Sequence, residues 1–253
     1  MNKPSDKFKV AFVSGASGGI GSAIADTLAN AGYAVAVGYN KNKEAAQQVC
    51  ARIAASGGLA CPIGFDYAER DSIRSALHSA KMHYSEAVSI LINNGAIAQE
   101  KSFEDISDED WSQMQRINLQ GPFIAAQECL PAMRDRGWGR IINISSIGGQ
   151  WGGFNQVHYA AAKAGLINLT QSLARLYSTQ GVASMALAIG LVATRMTENE
   201  ISSDRGRAKL ATIPCGRLGD PGEIAAMVAF LCSDAAAYLS GQTLNANGGM
   251  LFH

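Results

Sequence analysis

The sequence predicts an α/β protein built on one doubly wound parallel sheet of about seven strands, with helices on both faces. Apolar runs that resemble strands alternate with longer segments of helical periodicity, which is the pattern of consecutive βαβ units. The apolar runs are nearly continuous, as expected for strands buried on both faces of a parallel sheet. No linker, repeat or low-complexity tract divides the 253 residues, so residues 1–253 are predicted to form a single domain.

The elements follow one another in a regular order. Strands are expected at residues 8–14, 34–39, 59–65, 88–93, 140–145, 182–188 and 241–245. Helices are expected from the first glycine-rich turn to Gly32 and then at residues 43–55, 69–84, 108–136, 157–179 and 221–233. The long helix over 108–136 is expected to break near Gly121-Pro122. Residues 194–213 are polar and irregular, and they predict a lid over a site, with a plain surface excursion as the alternative.

Composition excludes several classes of protein. Hydrophobic residues make up 47% and charged residues 17% of the chain, so a large core is expected and disorder is not. Lys+Arg and Asp+Glu both number 21, which argues against a partner that is nucleic acid or an anionic membrane surface. The five cysteines and four histidines show no ligand spacing, so neither a metal site nor a disulfide framework is expected. No signal peptide and no long apolar span is found, and a cytoplasmic protein is predicted.

A glycine-rich turn follows the first predicted strand. Gly15, Gly19 and Gly21 are spaced Gly-x-x-x-Gly-x-Gly where the strand passes into the first helix, and Ser17 and Ile20 lie within the turn. Glycines there allow a tight turn and let the backbone approach a pyrophosphate at a helix N-terminus. The motif predicts a dinucleotide site, and a mere tight turn is the alternative.

The end of the second strand bears on the choice of nucleotide. An acidic residue there would bind both ribose hydroxyls of NAD, but no acid occurs until Glu44. The neutral to basic stretch that contains Asn40 and Lys41 favours a 2′-phosphate, and hence NADP(H) over NAD(H). Lys41 or Lys43 supplies the charge, or either is a solvated residue at the start of a helix.

Tyr159 and Lys163 are four residues apart on a predicted helix and therefore share one face. A lysine ammonium beside a phenol favours the phenolate, so we expect the pKa of Tyr159 to be lowered. A tyrosine tuned in this way can exchange a proton with a substrate oxygen. The spacing alone is weak evidence, because Tyr39 and Lys43 share it, and two ordinary helix-surface residues are the alternative.

Taken together, these motifs resemble the short-chain dehydrogenase/reductase family over essentially the whole chain. The glycine turn, Asn93-Asn94, Asn118, Ser146 and the Tyr159/Lys163 pair occur in the family's order and spacing. The resemblance implies a single NAD(P)-binding domain of Rossmann type. Five elements in register are far more specific than any one of them.

The resemblance also implies the roles of the site residues. Tyr159 is the acid during carbonyl reduction or the base during oxidation, and Lys163 holds the nicotinamide ribose and lowers the pKa of Tyr159. Ser146 orients the substrate oxygen, and Asn118 positions a water that connects Lys163 to solvent. Ser145 is expected to point the other way along its strand. Further cofactor contacts are implied for Asp66 (or a helix cap instead), Tyr67, Asn93, Gly95, Gly190, Val192 and Thr194, and Trp151 is expected to wall the substrate pocket or simply to pack.

Four further stretches stand out, at residues 137–146, 160–166, 216–224 and 240–250. They resemble 3-oxoacyl reductases that use acyl-carrier-protein or acyl-CoA substrates. They imply an NADPH-dependent reductase of a 3-oxoacyl thioester and a homotetramer. Another ketone or secondary alcohol, such as a sugar or a polyketide intermediate, is the alternative, and a catalytically silent nucleotide-binding scaffold is a third. An acyl carrier protein is a doubtful partner, because carrier-protein-using relatives often carry a basic residue where this chain has Gln180.

Two departures from the family pattern concern the site itself. The usual Asn-Asn-Ala-Gly reads Asn93-Asn94-Gly95-Ala96, so Ala96 would be strained if that position needs a positive φ. Ile189 occupies the place of the usual proline after the sixth strand, which is expected to change the pocket wall or loosen the lid.

Overall fold

A seven-stranded, all-parallel sheet forms the centre of the protein, with the strand order β3-β2-β1-β4-β5-β6-β7. The computed structural model describes residues 8–194, 197, 208 and 210–252. The strands are β1 (Val10–Val13), β2 (Ala34–Tyr39), β3 (Ala60–Gly64), β4 (Val88–Asn93), β5 (Gly139–Ser146), β6 (Val182–Ile189) and β7 (Thr243–Ala246). This confirms the Rossmann-type doubly wound sheet that the alternating pattern predicted.

Helices connect successive strands and cover both faces of the sheet. They are α1 (Gly19–Asn30), α2 (Lys43–Ala55), α3 (Arg70–Tyr84), α4 (Asp108–Gln115), α5 (Gly121–Arg136), α6 (Gly148–Trp151), α7 (Val157–Tyr177) and α8 (Pro221–Cys232). The side chains of N-cap residues determine where several of these helices begin. The side chain of Asn42 accepts the Ala45 N–H before α2, and Ser107 and Asp220 form capping boxes before α4 and α8.

Alternating strand residues divide the core into two layers. Ala11 and Val13 of β1 pack into the layer covered by α1, α2 and α8, whereas Val10 and Phe12 pack into the layer covered by α3, α5 and α7. Both faces of the central strands are therefore apolar, which explains their continuous hydrophobic runs. The edge strand β7 is only half-buried along its length.

The long helix predicted over 108–136 breaks earlier than its sequence suggested. One turn of π-helix at Arg116–Gln120 separates α4 from α5, and Asn118 lies buried in its middle. Gly121 and Pro122 continue into α5 as its first two residues, where the missing proline N–H does not break the helix. A π turn is often a local adaptation around a functional residue. The short helix α6 was not predicted.

Other differences concern where elements begin and end. Gly241 has φ +86°, so β7 begins at Thr243 rather than at 241. The predicted lid at 194–213 lies largely outside the described residues. Within the described part of the chain, no helix has the length and apolar character needed to cross a membrane.

Candidate active site

The strand ends at the middle of the sheet carry many of the predicted site residues. Because the strands run parallel, the carboxyl ends of β1, β4, β5 and β6 lie at one edge. Gly15 follows β1, Asn93 ends β4, Ser146 ends β5 and Gly190 follows β6. The chain order reverses between β1 and β4, which is the usual ligand position in a doubly wound sheet.

The glycine turn after β1 has no room for side chains. Gly15 has φ +63°, and a Cβ there would lie 2.7 Å from Gly95 Cα. A Cβ on Gly21 would lie 2.3 Å from the Gly15 carbonyl oxygen, and one on Gly19 would lie 3.2 Å from Thr194 Cγ2. The predicted glycines and Thr194 therefore form one closely packed unit.

The first turn of α1 offers backbone donors to an anion. Its N-cap residue is Gly18, and no side chain caps the helix there. The N–H groups of a helix's first turn have no partner within the helix, and the helix dipole favours negative charge beside them. Ser17 and Ile20 flank this turn and are half-buried. A backbone cradle of this kind fits the pyrophosphate of a dinucleotide.

Ser14, which was not predicted, holds the glycine turn against the end of β4. Its fully buried hydroxyl donates to the Ile92 carbonyl at 3.0 Å and accepts the N–H groups of Asn94 and Gly95, each at 2.9 Å. The Asn94 side-chain amide donates to the Ser14 carbonyl at 2.9 Å. A small polar residue at the end of a buried apolar strand was the available signal in the sequence.

The shifted glycine at 95 causes no backbone strain. Among the described residues other than glycine, only Ser85 and Asn155 have positive φ, so Ala96 does not. Gly95 is needed for a different reason, because a Cβ there would lie 3.2 Å from the Gly15 nitrogen. The condition for a cost at Ala96 is therefore not met, and close approach of two turns explains the glycine.

Two predicted cofactor residues, Tyr67 and Asn93, bond to each other inside the protein. The Tyr67 hydroxyl donates to Asn93 Oδ1 at 2.7 Å, and both side chains are buried. Asn93 Nδ2 donates to Asn143 Oδ1 at 2.7 Å, and Asn143 Nδ2 donates to Thr170 Oγ1 at 2.8 Å. This buried network links the loop after β3 to α7. The side chains of Tyr67 and Asn93 thus already have hydrogen-bond partners inside the protein.

Asp66 is not a helix cap, because α3 begins at Arg70 and its N-cap is Glu69. Instead Asp66 Oδ1 accepts the Ala68 N–H at 2.8 Å in a local turn. Asn40 and Lys41 are exposed immediately after β2. All three lie after strands β2 and β3, on the side of the sheet that the adenosine half of a dinucleotide occupies in such folds.

Ser146, Tyr159 and Lys163 come together at the junction of β5 and α7. Ser146 Oγ accepts the Gly148 N–H at 3.1 Å, and Lys163 Nζ lies 5.6 Å from the centroid of the Tyr159 ring. Lys163 is buried, and its ammonium donates to the Ile144 carbonyl at 2.8 Å. Ser145 points away from this group, as expected, and donates to the Lys163 carbonyl at 2.9 Å.

The pKa of Tyr159 moves in the direction opposite to the one its spacing from Lys163 suggested. Burial raises the pKa of the phenol, and a hydrogen bond with Ser146 only partly opposes that effect. Burial also lowers the pKa of Lys163 to about 8. The ammonium is directed at a backbone carbonyl instead of the phenol oxygen, so desolvation dominates and the phenol keeps its proton at neutral pH.

The side-chain amide of Asn118 bonds to the backbone of Ile97, and its nitrogen also lies 3.0 Å from Met114 Sδ. Its Oδ1 accepts the Ile97 N–H at 2.9 Å, and its Nδ2 donates to the Ile97 carbonyl at 2.7 Å. The side chain therefore holds the loop before α4. Contact with a water near Lys163, if made by Asn118, is left to its backbone.

The remaining predicted residues lie after the ends of β5 and β6. Trp151 ends α6 and is 52% exposed, so it is not a core residue. A Cβ on Gly190 would lie 2.8 Å from Asn247 Cα. Val192 is buried, and its carbonyl accepts the Thr197 hydroxyl at 2.6 Å.

Ile189 changes the end of β6. The strand continues to this residue, which pairs in register with Ser146 and accepts the Ile147 N–H at 3.0 Å. A proline would remove the N–H at this position. The strand β6 therefore extends one residue beyond the predicted end at 188, and this last residue lies beside Ser146.

Comparison with known proteins agrees with this geometry. The sequence profile of the family described as "short chain dehydrogenase" matches residues 9–205. The 3-oxoacyl-[acyl-carrier-protein] reductase FabG of Escherichia coli is 41% identical over 243 residues, covering 96% of this chain and 97% of that protein. A reductase of the same name from Synechocystis is 38% identical over 244 residues, with 96% and 97% covered, and the Staphylococcus aureus FabG is 37% identical over 242 residues, with 96% and 98% covered. The chain thus belongs to the short chain dehydrogenase family and is an oxidoreductase that acts on a CH–OH or ketone group with a nicotinamide dinucleotide.

Proposed function

We propose that this protein is an NADPH-dependent carbonyl reductase whose substrate is a 3-oxoacyl thioester. The observation that carries the proposal is the grouping of Ser146, Tyr159 and Lys163 beside the backbone cradle at Gly15–Gly21. When bound, the nicotinamide dinucleotide supplies the hydride. Relatives named as 3-oxoacyl-[acyl-carrier-protein] reductases support the substrate class.

The protein's own residues would bind the carbonyl and supply the proton. The Ser146 hydroxyl orients the substrate oxygen, and Tyr159 donates its phenolic proton to that oxygen. Burial keeps this proton in place at neutral pH, since it raises the pKa of Tyr159. The Lys163 ammonium has three N–H donors, and one of them bonds to the Ile144 carbonyl. The other two can donate to ribose hydroxyls and to the Tyr159 phenol once a cofactor is present.

The preference for NADPH rests on the end of β2. Asn40 and Lys41 are exposed there, and Asn42 caps α2. A cation and a neutral amide suit a 2′-phosphate, whereas a carboxylate would repel it. A clear kinetic preference for NADH would contradict this part of the proposal.

The residues around Gln180 make an acyl carrier protein a doubtful partner. Gln180 itself is neutral, and Arg136 forms an ion pair with Glu86 that offsets its charge. Arg134 donates to the Gln180 side chain and keeps its positive charge, so one cation remains there for an acidic carrier protein. Another ketone or secondary alcohol, such as a sugar or a polyketide intermediate, is the second candidate, and the Ile189 departure beside the site favours it.

A homotetramer in the cytoplasm is the proposed working form. Trp111 on α4, Phe123 on α5 and Leu176 on α7 are 43%, 42% and 60% exposed. Exposed apolar side chains on neighbouring helices are typical of subunit interfaces. The five cysteines are free thiols, which suits a reducing compartment.

The test is an assay of NADPH and NADH oxidation with acetoacetyl-CoA and with a panel of ketones and sugars. Turnover of acetoacetyl-CoA with NADPH is expected to exceed the others. Preferred turnover of a sugar or another ketone would favour the second candidate. Tight cofactor binding with no turnover on any substrate would support the scaffold alternative instead.

A further inference from the structure

The loop between β4 and α4 contacts three elements around the site with three alternate residues. The backbone of Ile97 brackets the Asn118 amide, as described above. The side chain of Gln99 lies 2.9 Å from Nε2 of His158. The Lys101 N–H donates to the Asn155 carbonyl at 2.7 Å. Residues 97–101, called the strap below, therefore touch the π turn, α7 and the segment that precedes α7.

His158 is the fully buried partner of the strap, and it directly precedes Tyr159 in α7. Its carbonyl accepts the Gln115 side-chain N–H at 2.9 Å, which places it at the contact of α4 with α7. No residue of the predicted catalytic group hydrogen-bonds to its ring. The ring has no exposed surface, so it acts through its neighbours and not on a substrate.

The hydrogen bonds around Gln99 define the state of the imidazole. Gln99 Nε2 donates to Asp110 Oδ1 at 3.0 Å, and a carboxylate only accepts, so Gln99 Oε1 must face His158. His158 Nε2 then carries the hydrogen. Its Nδ1 is buried without a hydrogen-bond partner among the described residues, so a second proton there would have no acceptor. Burial also lowers the pKa of His158, which favours the same neutral form.

Asp110 anchors the other end of this chain of bonds. Its Oδ2 accepts Lys101 Nζ at 2.5 Å and the Ser107 N–H at 3.0 Å. These bonds hold the pKa of Asp110 well below its ordinary value. The strap is thus bonded on one side to the charged Asp110 carboxylate of α4 and on the other to the neutral His158 imidazole of α7.

The strap is independent of the cofactor cradle. Ser14 and Asn94 hold the glycine turn through separate hydrogen bonds. Loss of the His158–Gln99 bond would therefore loosen the middle of the strap from α7, while Asn118 and Asp110 still hold its ends and the cradle stays intact. The distance between the π turn and Tyr159 would then be less tightly constrained by this loop.

We propose that His158 is a positioning residue, which holds residues 97–101 against α7 through Gln99 and thereby sets Asn118 and Tyr159 at their working distance. This role rests on the carbonyl reductase function proposed above. Misplacement of reacting groups by about 1 Å can lower turnover by about 10²-fold. The effect is expected on kcat and not on cofactor affinity.

The experiment compares His158→Leu, which removes the donor, with His158→Gln, whose amide nitrogen can reach the same acceptor. Measurements are kcat, the Kd for NADPH, and amide hydrogen exchange at Ile97 and Lys101. His158→Leu is expected to lower kcat between about tenfold and 10²-fold and to speed exchange at both amides, with the Kd unchanged. His158→Gln is expected to recover most of both, and Ala98→Ser in the same loop should change neither.

Full activity and unchanged exchange in His158→Leu would overturn the proposal, as would equal losses in the Leu and Gln variants. If His158→Leu does not fold, Gln99→Met removes the same bond from the half-buried side of the contact, together with the Gln99–Asp110 bond, and must give exchange and kcat changes at least as large. Hydrogen exchange does not depend on turnover. Faster exchange in a protein whose wild type reduces no ketone would therefore reject the proposed function and keep the strap.

Discussion

The cofactor end and the catalytic end of the site are built from different parts of the polypeptide. The proposed cofactor end is made of backbone, and its turns can approach closely because Gly15, Gly21 and Gly95 lack side chains. The proposed catalytic end is made of side chains, and burial of Lys163 and partial burial of Tyr159 shift both pKa values. Steric limits at the first end follow directly from residue type. Ionisation at the second end depends on burial and on hydrogen-bond partners far away in sequence.

Replacing the proton donor should give the largest effect and test the catalytic end alone. Tyr159→Phe keeps the ring and removes the hydroxyl, so reduction is expected to slow by about 10³-fold. The Kd for NADPH, followed by fluorescence, should stay nearly unchanged because the cradle is backbone. A variant that retained full turnover would show that another group donates the proton.

Adding one methyl group to the glycine turn should lower both the stability of the protein and its affinity for NADPH. Gly21→Ala places a Cβ 2.3 Å from the Gly15 carbonyl oxygen, and we expect a loss of about 3 kcal/mol in the free energy of unfolding. NADPH affinity should fall by about tenfold or more. Gly18→Ala is the matched control, because its Cβ would lie 3.5 Å from the same oxygen, an ordinary contact. Equal behaviour of the two variants in urea denaturation and binding would contradict the steric argument.

Removing the buried cation should separate stability from activity at the catalytic end. Burial lowers the pKa of Lys163 from 10.5 to about 8. A shift of this size means that burying the Lys163 charge costs about 3 kcal/mol of stability. The Met variant removes this cost but also loses the hydrogen bond to Ile144, which is worth about 1 kcal/mol. Lys163→Met should therefore be about 2 kcal/mol more stable than wild type at pH 7 without cofactor, and inactive.

The stability gain expected for Lys163→Met should depend on pH. Below pH 8 the folded protein carries the full cost of the buried charge, and this cost disappears as pH rises from about 8 to 10.5 because the unfolded chain then binds more protons. The stability difference between Lys163→Met and wild type should shrink over that window. A destabilised Lys163→Met protein at pH 7 would show that the cation is better compensated than its burial indicates.

The smallest expected effect concerns the network that joins the two ends. Tyr67→Phe leaves Asn93 Oδ1 buried without its donor, which should cost about 1–2 kcal/mol of stability. Tyr238→Phe makes the same chemical change at a fully exposed side chain and should cost nothing measurable. The urea midpoints of the two variants are compared, and that of Tyr67→Phe is expected to be lower. Equal midpoints would mean that Asn93 finds another hydrogen-bond donor.

Much of the fold could be predicted from local patterns. Continuous apolar runs marked the central strands, and glycine spacing marked the turn after β1. The limits of β7 and the break before α5 could not be read in the same way. Gly241 adopts a positive φ that ends any strand, and the π turn forms around Asn118 because its amide binds a loop some twenty residues away in sequence.

The candidate site shows the same division. Residue types and their order predicted that Ser146, Tyr159 and Lys163 lie in one site. They did not predict Ser14, Asn143, Thr170 or His158, because each of these acts through a partner from a different strand, helix or loop. The direction of the Tyr159 pKa shift was predicted wrongly from spacing, since spacing contains no information on desolvation.

The sequence by itself determined the parallel α/β sheet, the backbone cradle and the identities of the predicted catalytic residues. These depend on local properties, which are hydrophobic periodicity, the absence of Cβ atoms and residue spacing along one helix. Only the tertiary structure decided which groups are buried and which hydrogen bonds they form. Both depend on contacts between distant segments, and for that reason the phenol of Tyr159 stays protonated while the ammonium of Lys163 is the group whose charge is costly.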